Sequence, residues 1–223
     1  MFVKSCKFFF IALVLNLIFF EIIQGFENNF LYLQANIGYA NNPWKSSFGP
    51  FTYPNSTAQV NWRNGNGGFV YGFNIGYHAY KHLGVEAGYF SLPCAKLTTN
   101  NIEEYGFSKS RFYTNDIYLA ARSLLPITNS LQAFTKIGIN SKIITGSRKD
   151  FNNAWHYHEP IVFGPMFSAG LQYMINNNIG LNLQYLFFGG KVYKINAIQN
   201  SATKINPNAQ LVTFGVIYNI SLE

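Results

Sequence analysis

Apolar residues recur at every second position along most of the chain. Leu31, Leu33, Ala35, Ile37 and Tyr39 share one parity, and Tyr32, Gln34, Asn36 and Gly38 share the other. Successive side chains of a strand point to opposite faces, whereas a helix places its apolar residues three and four apart. The same alternation returns in Phe69 to Ala79, where Gly72, Asn74, Gly76 and His78 form the second face. It returns in Leu83 to Tyr89, with Gly84, Glu86 and Gly88 opposite, and in Asp116 to Arg122, with Ile117, Leu119 and Ala121 apolar. Leu131 to Asn140, Phe167 to Ile175, Ile179 to Phe187 and Val212 to Ile220 complete the set. The pattern predicts eight strands of about 10–13 residues. Globular strands average about 5–6 residues, while a strand that crosses a bilayer needs about 9–11.

The connections alternate in length. Lys81-His82, Pro126 to Ser130 and Asn176 to Asn178 are short and turn-like. Asn41 to Gly67, Cys94 to Arg111, Ile143 to Pro160 and Gly189 to Pro207 are long. Outer-membrane barrels have this layout, with short periplasmic turns and long external loops. The fold class expected is all-β, an eight-stranded antiparallel up-and-down transmembrane β-barrel. One face of each strand meets lipid; the other is expected to fill a narrow lumen with polar side chains and glycines. Tyr77, Tyr89, Tyr173, Tyr185 and Tyr218 fall toward strand ends on the apolar face, as aromatic girdles do.

Composition agrees with two solvents. Charged residues make up 11% and aromatics 18% of the 223 residues, against about 25% charged in ordinary soluble domains. Mean hydropathy is nevertheless only +0.03, too low for a bundle of membrane helices. A soluble β-sandwich would instead bury Phe73, Leu181 and Phe214.

Residues 1–25 form a secretory signal, with Lys4 and Lys7 before the apolar run Phe8 to Phe20 and Gly25 before the cleavage point. Residues 26–223 form the barrel. Loss of Lys4, Lys7 and Glu21 lowers the net charge from +7 to +6. Cys94 is then the only cysteine, so no internal disulfide forms.

The strand number, the alternation of loop lengths and the closing strand Val212-x-Phe214-x-Val216-x-Tyr218-x-Ile220-x-Leu222 resemble the OmpA-like family of eight-stranded outer-membrane barrels. The resemblance covers residues 30–222. It implies an integral protein of the bacterial outer membrane, delivered to the barrel-assembly machinery by a C-terminal signal like that last strand. Glu223 stands where the family usually ends in an aromatic residue. No residues remain for the peptidoglycan-binding domain that many relatives append.

The predicted inward face carries Glu86, Asp116, Arg122 and Lys136, which sum to zero. Isolated buried charges are costly and paired ones offset each other, so a central ion-pair cluster is expected, with Glu86 paired to Arg122 or Lys136. An eight-stranded barrel is only wide enough inside for its own side chains, which disfavours a diffusion pore. The long loops hold eleven cationic residues, Lys142 among them, against Glu103, Glu104, Asp150 and Glu159. Loop one adds Trp44, Phe48, Phe51, Tyr53 and Trp62. Trp44, Lys45, Trp62, Arg63, Lys109, Arg111, Arg148, Lys149, Lys191 and Lys194 are therefore the candidate contacts to lipopolysaccharide phosphates or to a host or environmental surface ligand. Nucleic acid is not an expected partner of an exported barrel.

Catalytic signals are sparse. His156-x-His158-Glu159 is the densest set of metal-ligand residue types, but it falls short of the three or four ligands of a zinc site. No Gly-x-Ser-x-Gly motif marks a nucleophile. Gly65-Asn66-Gly67-Gly68 lacks the Lys-Ser/Thr of a phosphate loop. The reading is a non-enzymatic barrel with no cofactor and a structural or surface-interaction role. The alternatives are a lipid-modifying barrel enzyme, acting by acyl transfer or deacylation, and a small-solute channel.

Overall fold

The computed structural model describes residues 30–43, 59–80, 82–101, 106–149, 154–158, 161–192 and 205–221. All regular structure among them is β-strand. In chain order the strands are β1 (Phe30–Asn41), β2 (Gln59–Arg63), β3 (Gly68–His78), β4 (Leu83–Ser91), β5 (Ala95–Asn101), β6 (Gly106–Pro126) and β7 (Leu131–Lys149). They continue with β8 (Ala154–His158), β9 (Val162–Met174), β10 (Ile179–Phe188), β11 (Lys191–Val192), β12 (Ile205–Asn206) and β13 (Ala209–Ser221).

Eight of these close a barrel in the order β1-β3-β4-β6-β7-β9-β10-β13, every neighbour antiparallel. Closure is made by β1 and β13, in register from Phe30 opposite Ser221 to Asn41 opposite Gln210. A closed barrel leaves no sheet edge in the hydrocarbon, so each backbone donor finds a neighbour. The short connections lie at the end where β1 begins and β13 finishes. Their side chains stabilise the turns: Asn176 Oδ1 accepts from the backbone N–H of Asn178 at 2.9 Å and of Ile179 at 2.7 Å. Thr128 Oγ1 accepts from Leu131 N–H at 3.0 Å in the β6–β7 turn.

The two faces separate as the alternation requires. Phe73 and Phe214 are 62% and 48% exposed and point outward with Ile37, Leu119, Ile137 and Leu183, which excludes the sandwich. Tyr77, Tyr173 and Tyr218 ring the turn end on this face, and Tyr39, Tyr71, Tyr89 and Tyr185 the loop end. The other face is buried.

The long connections differ from the irregular loops expected. Beyond Asn115, β6 leaves β4 and pairs with β5, which in turn pairs with β2. Beyond Lys142, β7 leaves β9 and pairs with β8. A five-stranded sheet, β2-β5-β6-β7-β8, thus stands above the barrel. Its inward side has a small core of Ala95, Phe112 and Ile144, with Leu97 packed against it.

Candidate functional site: a tiered lumen beneath a basic outer sheet

The lumen is filled in three tiers. Nearest the turn end lies the expected ion cluster, built on Glu86. Lys136 Nζ donates to Glu86 Oε1 at 2.6 Å and to Gln184 Oε1 at 2.9 Å. An Arg122 guanidinium nitrogen lies 3.7 Å from Glu86 Oε2. The hydroxyls of Tyr32 and Tyr118 both donate to the same carboxylate. Arg122 lies between two rings, its Cζ 4.5 Å from the centre of Tyr32 and 4.7 Å from that of Phe134. Its Nη2 donates to Gln172 Oε1 at 2.5 Å. All of these side chains are buried. Charge-assisted bonds and cation–π contacts replace part of the water these ions lost, although Nε and Nη1 of Arg122 have no hydrogen-bond partner.

Glycines make the room. A side chain on Gly76 would overlap the Tyr32 ring, and one on Gly88 would overlap the Tyr118 ring. The small inward residues of β3 and β4 are therefore the slots through which two tyrosines reach Glu86.

The middle tier is apolar, contrary to the expectation of a uniformly polar lumen. Val70, Phe90, Leu92, Tyr118, Met166, Leu186, Phe188 and Leu211 form one buried cluster with Ala40, Ala120 and Ala209. Phe90, Tyr118 and Phe188 sit at its centre, with ring centroids 5.7–6.3 Å apart. Phe90 fills the space opposite Gly72. Tyr118 thus belongs to both tiers, its ring in the plug and its hydroxyl on Glu86.

The third tier separates Asp116 from the cluster to which its sequence position assigned it. Asp116 pairs with Lys142 at 3.8 Å. Lys142 is fully buried, not a loop residue, and its Nζ donates to the carbonyl of Pro207 at 2.6 Å. Asn140 Nδ2 donates to Asp116 Oδ1 at 2.9 Å and reaches the Gly189 carbonyl at 3.3 Å. The base of the fourth long loop is thereby tied to β6 and β7. With Lys142 inside, the five buried charges of the lumen sum to one net positive rather than zero.

Of the candidate contact residues, Arg63, Lys109, Arg111 and Lys149 are exposed on the outer sheet. Lys96, which the site reading left out, joins them through its register with both Arg63 and Arg111. Trp62, Arg148 and Lys191 are placed by backbone only, in β2, β7 and β11. Trp44, Lys45 and Lys194 lie outside the described residues, as do residues 1–25. His78 is buried in the lumen, stacked on Phe30 with centroids 4.6 Å apart, and does not reach the outer wall. Among the described residues no three metal-ligating side chains converge.

A family model, the OmpA-like transmembrane domain, matches residues 26–222. The chain belongs to this family. It is an integral protein of the bacterial outer membrane, so the turn end faces the periplasm and the outer sheet faces the exterior. Among solved structures, the neisserial surface protein NspA is similar over 84% of this chain and 96% of its own, with 15% identity and a TM-score of 0.52. The N-terminal barrel of OprF from Pseudomonas aeruginosa matches over 86% and 98%, with 11% identity and a TM-score of 0.47. Ail, the attachment invasion locus protein of Yersinia pestis, matches over 85% and 98%, with 14% identity and a TM-score of 0.43. At these identities the likeness is one of fold. No curated protein matches the chain.

Proposed function

We propose that this OmpA-like barrel is neither an enzyme nor a channel. It works as a sealed structural element of the outer membrane whose basic and aromatic exterior contacts lipopolysaccharide and surface ligands of host or environment. One observation carries the reading: the lumen holds two successive buried tiers, the Glu86 cluster and then the Phe90–Tyr118–Phe188 plug. The buried rings of that plug oppose a continuous column of water through the lumen. What is left for function is the outside, where the described loop residues present cations on an extended sheet. His78, the histidine within a barrel strand, is turned inward rather than toward the outer wall.

The test has two readouts on the refolded full chain. Lipopolysaccharide added to phospholipid vesicles should raise the temperature of heat unfolding. The mass of the lipid recovered afterwards should be unchanged. Loss or transfer of an acyl chain would instead establish the enzyme.

A further inference from the structure

The outer sheet brings its cations into register. Arg63 on β2 stands opposite Lys96 on β5, and Lys96 stands opposite Arg111 on β6. One outward position further along β6, Lys109 stands opposite Lys149 on β7. Like charges directly opposite on neighbouring strands destabilise a sheet. Among the described residues, no carboxylate is paired with Arg63, Lys96, Arg111 or Lys149. The arrangement favours whatever anion bridges the strands.

The face these residues occupy says which anion. On β6, Phe112, Thr114 and Asp116 point inward, while Arg111, Tyr113, Ile117 and Leu119 point outward. One outward face therefore runs without interruption from the lipid-facing aliphatics, past Tyr113, to the cations. Tyr89, in the outer girdle, donates to Asn115 at 2.9 Å and marks the boundary level. From Asn115 to Arg111 is about 14 Å along a strand, and roughly 10 Å of height once a strand tilt of about 40° is allowed for.

We infer that Arg63, Lys96 and Arg111, flanked by Lys109 and Lys149, form a strip that binds the phosphate groups of an anionic glycolipid in the outer leaflet. The inference rests on the outer-leaflet contact proposed above and assigns its residues. An acylated, phosphorylated molecule uses both halves of this face, its chains on Ile117 and Leu119 and its phosphates on the strip. A soluble anion would use only the upper half. Arg63 and Arg111 supply planar forks that hold phosphate bidentately, and Lys96 lies between them as a point charge.

The experiment follows heat unfolding of the full chain in phospholipid vesicles with and without lipopolysaccharide. It compares the wild type with R63Q/K96Q/R111Q and with K81Q/K204Q, which removes cations that are not among the candidate contacts. The wild type and the second variant should show the same upward shift, and the strip variant should lose at least half of it. R63K/R111K, which keeps the charge, should retain most of the shift. R111Q and K96Q singly carry the same comparison if the triple variant does not refold. Dephosphorylated lipopolysaccharide should remove the difference between wild type and strip variant. Equal shifts in the strip variant and the control variant overturn the strip while leaving outer-leaflet contact standing. No shift in the wild type overturns both. A shift of equal size from inorganic pyrophosphate alone overturns the assignment to a lipid.

Discussion

The ring of Tyr32 lies over Gly76, in the space where any larger side chain would stand. That overlap lets the Tyr32 hydroxyl on β1 reach across β3 to Glu86 on β4, with which Gly76 is in register. Gly76→Leu should expel the ring and break the bond at once. Overpacking of this kind costs about 1–3 kcal/mol, and loss of a hydrogen bond to a charged group adds about 1.5–3 kcal/mol. Tyr32→Phe removes only the second contribution. Urea unfolding in vesicles should therefore rank wild type above Tyr32→Phe and Tyr32→Phe above Gly76→Leu. Equal stability of wild type and Gly76→Leu would show that Tyr32 does not occupy this slot.

Glu86 is shared by Lys136 and Arg122, so its two partners are not equivalent. Lys136 makes the close contact at 2.6 Å, and Arg122 lies at 3.7 Å. Lys136→Met should destabilise the barrel by about 3–5 kcal/mol, the range for breaking a buried pair. Glu86→Gln should cost more, because it strands both buried cations, and adding Lys136→Met to it should recover part of that loss, because only Arg122 then lacks a counter-charge. A double-mutant cycle on unfolding free energies measures the coupling. Additive effects would place the two residues out of contact.

Lys142, Asp116 and Asn140 fasten the base of the fourth long loop to the β6–β7 ribbon. Lys142→Met should release the Pro207 carbonyl and leave Asp116 buried without its cation. Trypsin should then cut at Lys194 or Lys204 several-fold faster than in the wild type, with the barrel itself still folded. An unchanged cleavage rate would mean that the loop is held elsewhere.

The period of two made the barrel portion legible in the sequence, because each of its strands separates lipid from lumen at every residue. The inward placement of Glu86, Asp116, Arg122 and Lys136 followed from parity alone. Two features did not follow. Above the bilayer the outward face meets water and the inward face builds its own small core, so the apolar parity inverts: Ile117 points out, but Phe112 and Ile144 point in. Adjacent Ile143 and Ile144 thus read as the start of a loop, and Lys142 was counted with it. The apolar plug was hidden in the same way. Phe90 follows Tyr89, and Phe188 follows Phe187, and each such pair has one residue facing lipid and one facing inward. Consecutive large apolar residues near the outer strand ends were the signal for it. The cation register of the outer sheet depends on pairings between segments distant in sequence, which periodicity does not encode.

The two buried tiers should seal the lumen independently. Arg122→Ala empties part of the ionic tier but leaves Phe90, Tyr118, Met166 and Phe188 packed above it, so this variant alone should not open a pore. Removing both tiers, with Arg122→Ala, Phe90→Ala and Phe188→Ala together, should produce ion flux. Conductance from Arg122→Ala alone would mean that the aromatic tier does not seal.

The claim of a closed lumen is tested most directly by recording currents from the wild-type protein in planar bilayers. The filled lumen predicts no steady channel conductance at any moderate voltage. A reproducible open state of fixed conductance, present in protein with neither tier altered, would contradict it.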